Sequence, residues 1–323
     1  MNTRVIKVLD ASIKLVSDTD LITYGNYFST DHVESLLSDY GEITDLPSNS
    51  ESNSSLFIVN SKDTIDVVID DNKAIAIGDF TNFERQMEDK RFTLLGNQGL
   101  LYRLILSTLE KNYGIYSFHA NALYNENTHE LTIFFGGPGS GKSPALMAGL
   151  CKNLKVFGTE LVHFSIRGDD LIFYRSACYD NIRPQCIHED FPELGTVLKV
   201  PALENFYSPS SKFLLDMQDY STKDAIIKNP HLRMIIPKVE MGRHPVICNK
   251  EINTDNMAKL IFDNLSEKIC SSFTMYNRIA VPGFDSSKQA SSRLEASRLL
   301  VGKAALQSIE IYIAPPRYFL EVL

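Results

Sequence analysis

The chain has 323 residues, a formal net charge of -8 and an isoelectric point near 5.4. Its composition, with 44% apolar and 22% charged residues, is that of a folded globular protein and excludes a disordered or fibrous chain. The acidic balance argues against a broad nucleic-acid-binding surface, and the length leaves room for two domains because single cores stop growing at roughly 250–300 residues.

Apolar runs, the N-terminus and the cysteines indicate the cellular compartment. No run reaches the ~20 apolar residues that a membrane-spanning helix requires, and the N-terminus lacks the apolar core of a signal peptide. We therefore expect a cytoplasmic protein with no membrane partner. The cysteines are odd in number and widely spaced, which indicates neither a disulfide framework nor a zinc site but buried reduced thiols. They are Cys151, Cys178, Cys186, Cys248 and Cys270.

The first part of the chain is predicted to be a small, strand-rich lobe. The polar run at 47–55 favours an exposed loop, because it is built from turn-forming residues with no aliphatic side chain. Strands are predicted after it at 56–59, 64–69 and 73–77. We expect an N-terminal lobe over residues 1–92 and a second domain over residues 93–323.

The middle of the chain has the order of a nucleotide-binding α/β unit. An amphipathic helix is predicted at 100–109, because leucines recur on one face with polar residues opposite. Further elements follow in chain order: a strand at 115–124, a strand at 130–135, a glycine-rich loop, a helix after 143 and a strand at 155–158. Strand, loop, helix and strand in this order indicate an α/β core with a mixed sheet.

Downstream, the predictions are fewer. Two apolar runs, 161–166 and 171–174, flank Arg167-Gly168-Asp169-Asp170, which is typical of a hairpin turn. A helix is predicted at 255–270 and a late strand at 309–313. The pair Asp169-Asp170 is therefore interpreted as turn residues rather than as a catalytic acidic pair.

The loop Gly136-Gly137-Pro138-Gly139-Ser140-Gly141-Lys142-Ser143 matches the pattern G-x-x-x-x-G-K-[ST] of a phosphate-binding P-loop. Glycines let successive backbone N–H groups face phosphate oxygens, Lys142 supplies positive charge, and the Ser143 hydroxyl can ligate Mg²⁺. Pro144 fits the first helical turn, where a missing N–H costs little. The pattern predicts binding of a nucleoside triphosphate, ATP with Mg²⁺, by Gly137, Pro138, Gly139, Ser140, Gly141, Lys142, Ser143 and Pro144.

A wider set of residues resembles a known family. His119, the strand 130–135, the loop, and Val156-Phe157-Gly158-Thr159-Glu160-Leu161-Val162-His163-Phe164 are similar to the catalytic core of HPr kinase/phosphorylase. The resemblance covers roughly residues 95–180 and implies a fold like that of phosphoenolpyruvate carboxykinase. Relatives phosphorylate free serine or a serine of a peptide and often assemble, so the resemblance implies a hydroxyl-bearing acceptor and leaves a homo-oligomer open.

One departure from that family concerns its acidic pair, because Thr159-Glu160 stands where two aspartates are usual. The resemblance implies that Glu160 acts as a general base toward the acceptor hydroxyl or helps Ser143 to hold Mg²⁺. It also implies that His119 assists proton transfer or binds phosphate. The residues alone leave two plainer readings open, a surface carboxylate for Glu160 and a strand histidine bonded to the backbone for His119.

Three arginines are further candidates for a phosphate clamp, Arg175, Arg183 and Arg278, although isolated arginines are usually surface residues. The favoured hypothesis is an ATP-dependent kinase that transfers the γ-phosphoryl group to a hydroxyl, with Lys142, Glu160 and His119 at the reaction. The alternative is a nucleotide-binding regulatory protein that keeps the P-loop and has lost phosphotransfer. A hydrolytic NTPase is disfavoured, since no apolar strand ending in a magnesium-holding aspartate was found.

Overall fold

The computed structural model describes residues 1–23, 25–29, 35–205, 212–242, 244–248, 253–303 and 305–323. The chain divides into two compact units. The first comprises Met1–Tyr116 and Ser266–Ser292, and the second comprises Ser117–Leu265 and Arg293–Leu323. The lobe predicted from sequence ends at residue 92, whereas the first unit continues to Tyr116 and takes in a later segment.

Strands dominate both units. The strands in the described residues are β1 (Asn2–Val8), β2 (Ala11–Ser17), β3 (Thr44–Leu46), β4 (Ser54–Val59), β5 (Asp66–Asp70), β6 (Lys73–Ile77), β7 (Tyr116–Asn125), β8 (Glu130–Phe135), β9 (Lys155–Gly158), β10 (Leu161–Arg167), β11 (Asp170–Tyr174), β12 (Tyr179–Ile182), β13 (Phe213–Asp216), β14 (Ile226–Lys228), β15 (His231–Val239), β16 (Val246–Cys248), β17 (Phe273–Met275), β18 (Ile279–Val281) and β19 (Leu306–Ala314). The helices are α1 (Leu37–Tyr40), α2 (Phe80–Gln86), α3 (Leu100–Tyr113), α4 (Lys142–Cys151), α5 (Pro192–Val197), α6 (Thr254–Cys270), α7 (Ser287–Gly302) and α8 (Phe319–Val322).

The first unit is built on a mixed sheet with the strand order β3-β1-β2-β4-β6-β5. Alternate residues of β4 are buried, which is the pattern of a strand with one face on a core. Helix α3 packs on β2 and β4, and the hydroxyl groups of Ser54 and Thr108 share a hydrogen bond of 2.7 Å. Because α3 covers this sheet, the first unit extends past residue 92. The polar run predicted as a loop ends at Asn53, since Ser54 and Ser55 belong to β4.

The second unit contains the larger mixed sheet, in the order β14-β11-β10-β7-β8-β15-β19-β16, with β9 also paired to β7. The hairpin of β7 and β8 is antiparallel, whereas β8, β15 and β19 run parallel. The predicted α/β class with a mixed sheet is thus confirmed. The predicted hairpin is confirmed as well, because β10 and β11 pair antiparallel, but its turn is Gly168-Asp169, whereas Asp170 is the first residue of β11 and pairs with Arg167.

Strand β15 was not predicted, although it lies in the middle of the sheet. Its Pro237 argues against a central strand, because proline cannot donate to a ladder. The pairing explains how it fits: β8 pairs only with His231 to Ile235, so beyond that point β19 is the strand to which β15 is paired in the described sheet. A missing N–H on the side where β8 has ended costs little.

Helix α4 is buried over more than half of its length, between the sheet and neighbouring helices such as α8. Residues Ala145 to Leu150 are buried, and a Cβ added to Gly149 would lie 1.9 Å from Leu123 Cδ1 on β7. A larger residue at this position would have to displace the buried Leu123 side chain, so glycine allows the close approach of helix and strand. This packing positions the start of α4 at the end of β8. Within the described ranges, no helix has the length and apolar character needed to cross a bilayer.

A buried histidine in this unit leads to a first prediction. His163 on β10 is 1% exposed, its Nδ1 shares a hydrogen bond of 2.7 Å with Ser117 Oγ, and burial lowers its pKa to about 3. The native state therefore keeps His163 neutral at pH values where the unfolded chain, with an ordinary pKa near 6.5, takes up a proton. Stability is fully present above pH ~6.5 and is lost as the pH falls toward ~3, by about 2 kcal/mol at pH 5.

We expect urea unfolding at pH 7.5 and pH 5 to show this loss in the wild type and a smaller loss in His163→Gln, which keeps a polar group toward Ser117. Comparing the two proteins isolates His163 from the other groups that titrate in this range. Equal losses in both proteins would contradict the assignment.

Candidate functional site

The glycine-rich loop lies between the end of β8 at Phe135 and the start of α4 at Lys142, as the sequence predicted. Gly139 and Gly141 have φ angles of 79° and 116°, a region that side-chain-bearing residues rarely adopt. Gly137, Pro138 and Gly139 are exposed, so the tip of the loop is open to a ligand. The glycines are therefore required by backbone conformation here, independently of any ligand.

The loop rests on the carboxyl end of β15. Val239 N donates to Ser140 O at 3.0 Å, and a Cβ on Gly141 would lie 2.4 Å from Val239 Cγ2. Because β8 and β15 are parallel, both strands end at this edge of the sheet, where ligands of α/β proteins commonly bind. The N-terminus of α4 also begins here, and its first N–H groups lack partners within the helix, which favours an anion.

Lys142 and Ser143 lie in the first turn of α4, and the side chains of both form hydrogen bonds with other residues of the chain. Lys142 Nζ donates to Gly136 O at 2.7 Å and to Gly137 O at 3.3 Å. Ser143 Oγ donates to Asp180 Oδ2 at 3.0 Å. The ammonium group of Lys142 thus lies over the loop, and the hydroxyl of Ser143 is hydrogen-bonded to a carboxylate on strand β12.

Asp180 was not identified from the sequence. It lies on β12, is 1% exposed, and accepts a second, longer hydrogen bond from Asn121 Nδ2 at 3.4 Å. A recognisable signal existed, because a single carboxylate follows the apolar residues Ala177, Cys178 and Tyr179.

Burial raises the pKa of Asp180 to about 6, and the negative charge of Glu160 adds to the rise. The hydrogen bond from Ser143 and the positive charges of Lys212 and Lys142 act in the opposite direction without cancelling it. A buried carboxylate that lacks full charge compensation is one that a cation can stabilise.

Glu160 and His119, predicted to act together, are brought together. His119 Nε2 lies 3.3 Å from Glu160 Oε2, with the histidine side chain 5% exposed and the glutamate side chain 26% exposed. The main chain of His119 is held by a side chain, because its N–H donates to Asn264 Oδ1 and its carbonyl accepts from Asn264 Nδ2. The imidazole faces Glu160, which favours the predicted pairing over the plainer reading of a strand histidine bonded to the backbone.

The backbone of Glu160 is strained. Its φ of 59° falls in the left-handed region, which costs a non-glycine residue on the order of 1–3 kcal/mol. Two hydrogen bonds hold it there: Glu160 N donates to Asn121 Oδ1 at 3.1 Å, and Ala120 N donates to Glu160 O at 3.2 Å. Such strain is concentrated at functional sites, where the surrounding structure maintains it.

Asn121 on β7 joins the two carboxylates. Its Oδ1 accepts from the Glu160 backbone, and its Nδ2 donates to Asp180. A continuous set of contacts therefore runs from His119 through Glu160, Asn121 and Asp180 to Ser143. Among these residues, Asn121 and Asp180 were missed because the sequence places them 39 and 20 residues from Glu160.

Thr159 is turned away from the site. It is fully buried, and its Oγ1 donates to Ala177 O at 3.0 Å and to Tyr179 O. Its own N–H also donates to Ala177 O. The residue that replaces an acidic one in the resembled family thus binds the segment that precedes Asp180.

The remaining sequence candidates serve elsewhere. Arg175 Nη1 donates to Thr222 O, and Arg278 lies 4.9 Å from the Phe83 ring centroid in the first unit. Arg183 is exposed just after β12. The cysteines whose side chains are described, Cys151, Cys178, Cys186 and Cys270, are free thiols as predicted, but Cys178 alone among these four is buried and Cys270 is exposed. The side chain of Cys248 lies outside the described residues.

The residues of the loop fit a nucleotide and a magnesium ion. Ser140 Oγ is buried and has no hydrogen-bond partner among the described residues, so a bound anion or water can satisfy it. Ser143 and Asp180 offer oxygen donors, which Mg²⁺ prefers. In the described part of the chain, no group of three or more His, Cys, Asp or Glu side chains is arranged to hold a metal alone. Magnesium at a nucleotide site commonly needs only one or two protein carboxylates beside phosphate oxygens.

No protein-family model matches the chain, and a search of curated proteins finds no relative. The likeness to HPr kinase/phosphorylase therefore stays a prediction that rests on the quoted residues.

Proposed function

We propose that this chain is a magnesium-dependent kinase that transfers the γ-phosphoryl group of ATP to a hydroxyl group, with serine in a peptide, a protein or free form as the acceptor class. The core would be of the HPr kinase/phosphoenolpyruvate carboxykinase type. The single observation that carries the proposal is the hydrogen bond from Ser143, in the first turn after the glycine loop, to the buried carboxylate of Asp180. A serine and a carboxylate so joined are the pair that holds magnesium in phosphate-binding loops of this pattern.

The other parts have roles that follow from their positions. The open loop and the start of α4 would bind the β- and γ-phosphates, and Lys142 would leave its carbonyl partners to neutralise developing charge. Bound magnesium would neutralise phosphate charge as transfer proceeds. Glu160 is the more exposed carboxylate, and a hydroxyl-bearing acceptor can approach it from solvent.

The regulatory alternative was motivated by a missing aspartate in the acidic pair. Asp180 weakens that motive, because a second carboxylate is present at the site from another strand. The alternative is still decided by turnover rather than by geometry.

The test is ADP formation from ATP and Mg²⁺, with and without a panel of serine-containing acceptors, for the wild type and for Ser143→Ala. We expect formation that depends on an acceptor and that falls at least about tenfold in the variant, since one metal-ligating oxygen is lost. Phosphate recovered on the acceptor would identify its class. Tight nucleotide binding with no ADP formed under any acceptor would favour the regulatory alternative instead.

A further inference from the structure

The two carboxylates of the site have different surroundings. Asp180 is 1% exposed and its Oδ2 is engaged by Ser143 Oγ and Asn121 Nδ2. The Glu160 side chain is 26% exposed and its Oε2 faces His119 Nε2. An acceptor arriving from solvent can reach Glu160, whereas Asp180 is almost fully buried and its Oδ2 is bonded to Ser143 in the first turn of α4.

Hydrogen bonds from Thr159 hold the segment that carries the buried Asp180 on β12. Its hydroxyl donates to the carbonyls of Ala177 and Tyr179, and its N–H donates to Ala177 as well. These bonds fix the backbone immediately before Asp180. Asn121 then binds Asp180 and the strained Glu160 through the two ends of one amide.

We propose that Asp180 has taken over the metal-side role of the acidic residue replaced by Thr159, that Thr159 and Asn121 are its positioning residues, and that Glu160 serves only as the proton acceptor. The inference rests on the proposed function and assigns the roles within it. The two acidic roles are thus assigned to residues from different segments: Glu160 lies in the β9–β10 turn and Asp180 lies on β12.

In the transfer step, Glu160 receives the proton and ADP leaves with the electron pair of the broken bond. The acceptor oxygen forms a bond to the γ-phosphorus, and the bond from that phosphorus to the β–γ bridging oxygen breaks, with its electron pair leaving on ADP. The hydroxyl proton passes to the Glu160 carboxylate and is released to water once the products leave. Asp180 takes no proton in this step, because its carboxylate is buried and bonded to Ser143 and Asn121, away from an acceptor that approaches Glu160 from solvent.

Two conservative variants, Asp180→Asn and Glu160→Gln, distinguish the metal-side role from the proton-acceptor role. The metal requirement and the turnover are measured independently. Fluorescently labelled ADP titrated with Mg²⁺ measures the metal requirement of nucleotide binding, and acceptor-dependent ADP formation measures turnover. We expect Asp180→Asn to raise the Mg²⁺ concentration for half-maximal binding about 10–100-fold. We expect Glu160→Gln to leave that concentration within about twofold while lowering turnover about 10²–10⁴-fold.

The positioning role of Thr159 is tested by Thr159→Val, which keeps the shape and removes the hydroxyl. We expect it to raise the Mg²⁺ requirement severalfold and to leave turnover at saturating Mg²⁺ within about twofold of the wild type. Ser165→Ala is the matched control, because Ser165 is a buried hydroxyl on β10 bonded to Tyr174 OH away from the site.

The outcomes are distinct. A Glu160→Gln protein whose Mg²⁺ requirement rises as far as that of Asp180→Asn would overturn the division of roles, and Thr159→Val behaving like Ser165→Ala would overturn the positioning. Absence of transfer by the wild type would overturn the proposed function and the role of Glu160 with it. The metal titration of Asp180→Asn would then still decide whether Asp180 is the metal-side carboxylate.

Discussion

Lys142→Ala is expected to lower acceptor-dependent ADP formation about 10²–10³-fold, a loss typical of removing one group that stabilises transition-state charge. The ammonium group of Lys142 lies at the mouth of the loop, 2.7 Å from Gly136 O and 3.3 Å from Gly137 O. A phosphate with three charged oxygens is a stronger partner than two carbonyls, so the side chain would turn to it. Alanine leaves that charge uncompensated.

The measurement is the rate of ADP formation at saturating ATP, together with the dissociation constant for ATP and the melting temperature. Lys152→Ala is the matched control, because Lys152 is an exposed lysine at the other end of the same helix. Removing the two hydrogen bonds of Lys142 costs about 1–2 kcal/mol of stability, so both variants should remain folded. A Lys142→Ala protein that keeps the wild-type rate would show that phosphoryl transfer does not take place at this loop.

Gly141→Ala is expected to lower the free energy of unfolding of the second unit by about 2–5 kcal/mol, the sum of backbone strain and overpacking. The φ of Gly141 is 116°, and its added Cβ would lie 2.4 Å from Val239 Cγ2 on β15. The clash falls where the loop rests on the sheet, so the loop has to move away from the strand end. Nucleotide binding should be lost with it.

Gly137→Ala is the matched control within the same loop, because a Cβ there has no heavy atom within 4 Å. Its stability should change by less than about 1 kcal/mol. Chemical denaturation of both variants, and of Gly141→Ala combined with Val239→Ala, measures the steric part. We expect the double variant to lose less than the sum of the single losses, since the smaller side chain makes room for the added methyl. Equal stability of Gly141→Ala and Gly137→Ala would contradict this description of the loop.

Much of the local structure around the loop could be predicted from the sequence. The apolar run of β8, the glycines after it and the apolar pattern after Ser143 are all local signals, and β8 has the predicted bounds. Turn chemistry likewise placed the β10–β11 hairpin within Arg167-Gly168-Asp169-Asp170, of which Gly168-Asp169 form the turn. Local signals do not reveal a strand such as β15, where Pro237 is accommodated only because β8 ends before it.

The sequence by itself determined the α/β class, the loop with Lys142 and Ser143, and the pairing of Glu160 with His119 as a hypothesis. Only the tertiary structure decided that Asp180 and Asn121 belong to the same site and that Thr159 faces away from it. The physical reason is that a loop sequence encodes its own backbone conformation, whereas the partner of a side chain depends on which strands become neighbours. The contact between Asp180 on β12 and Ser143 depends on the packing of the whole second unit, and it cannot be predicted from the spacing of these residues along the chain.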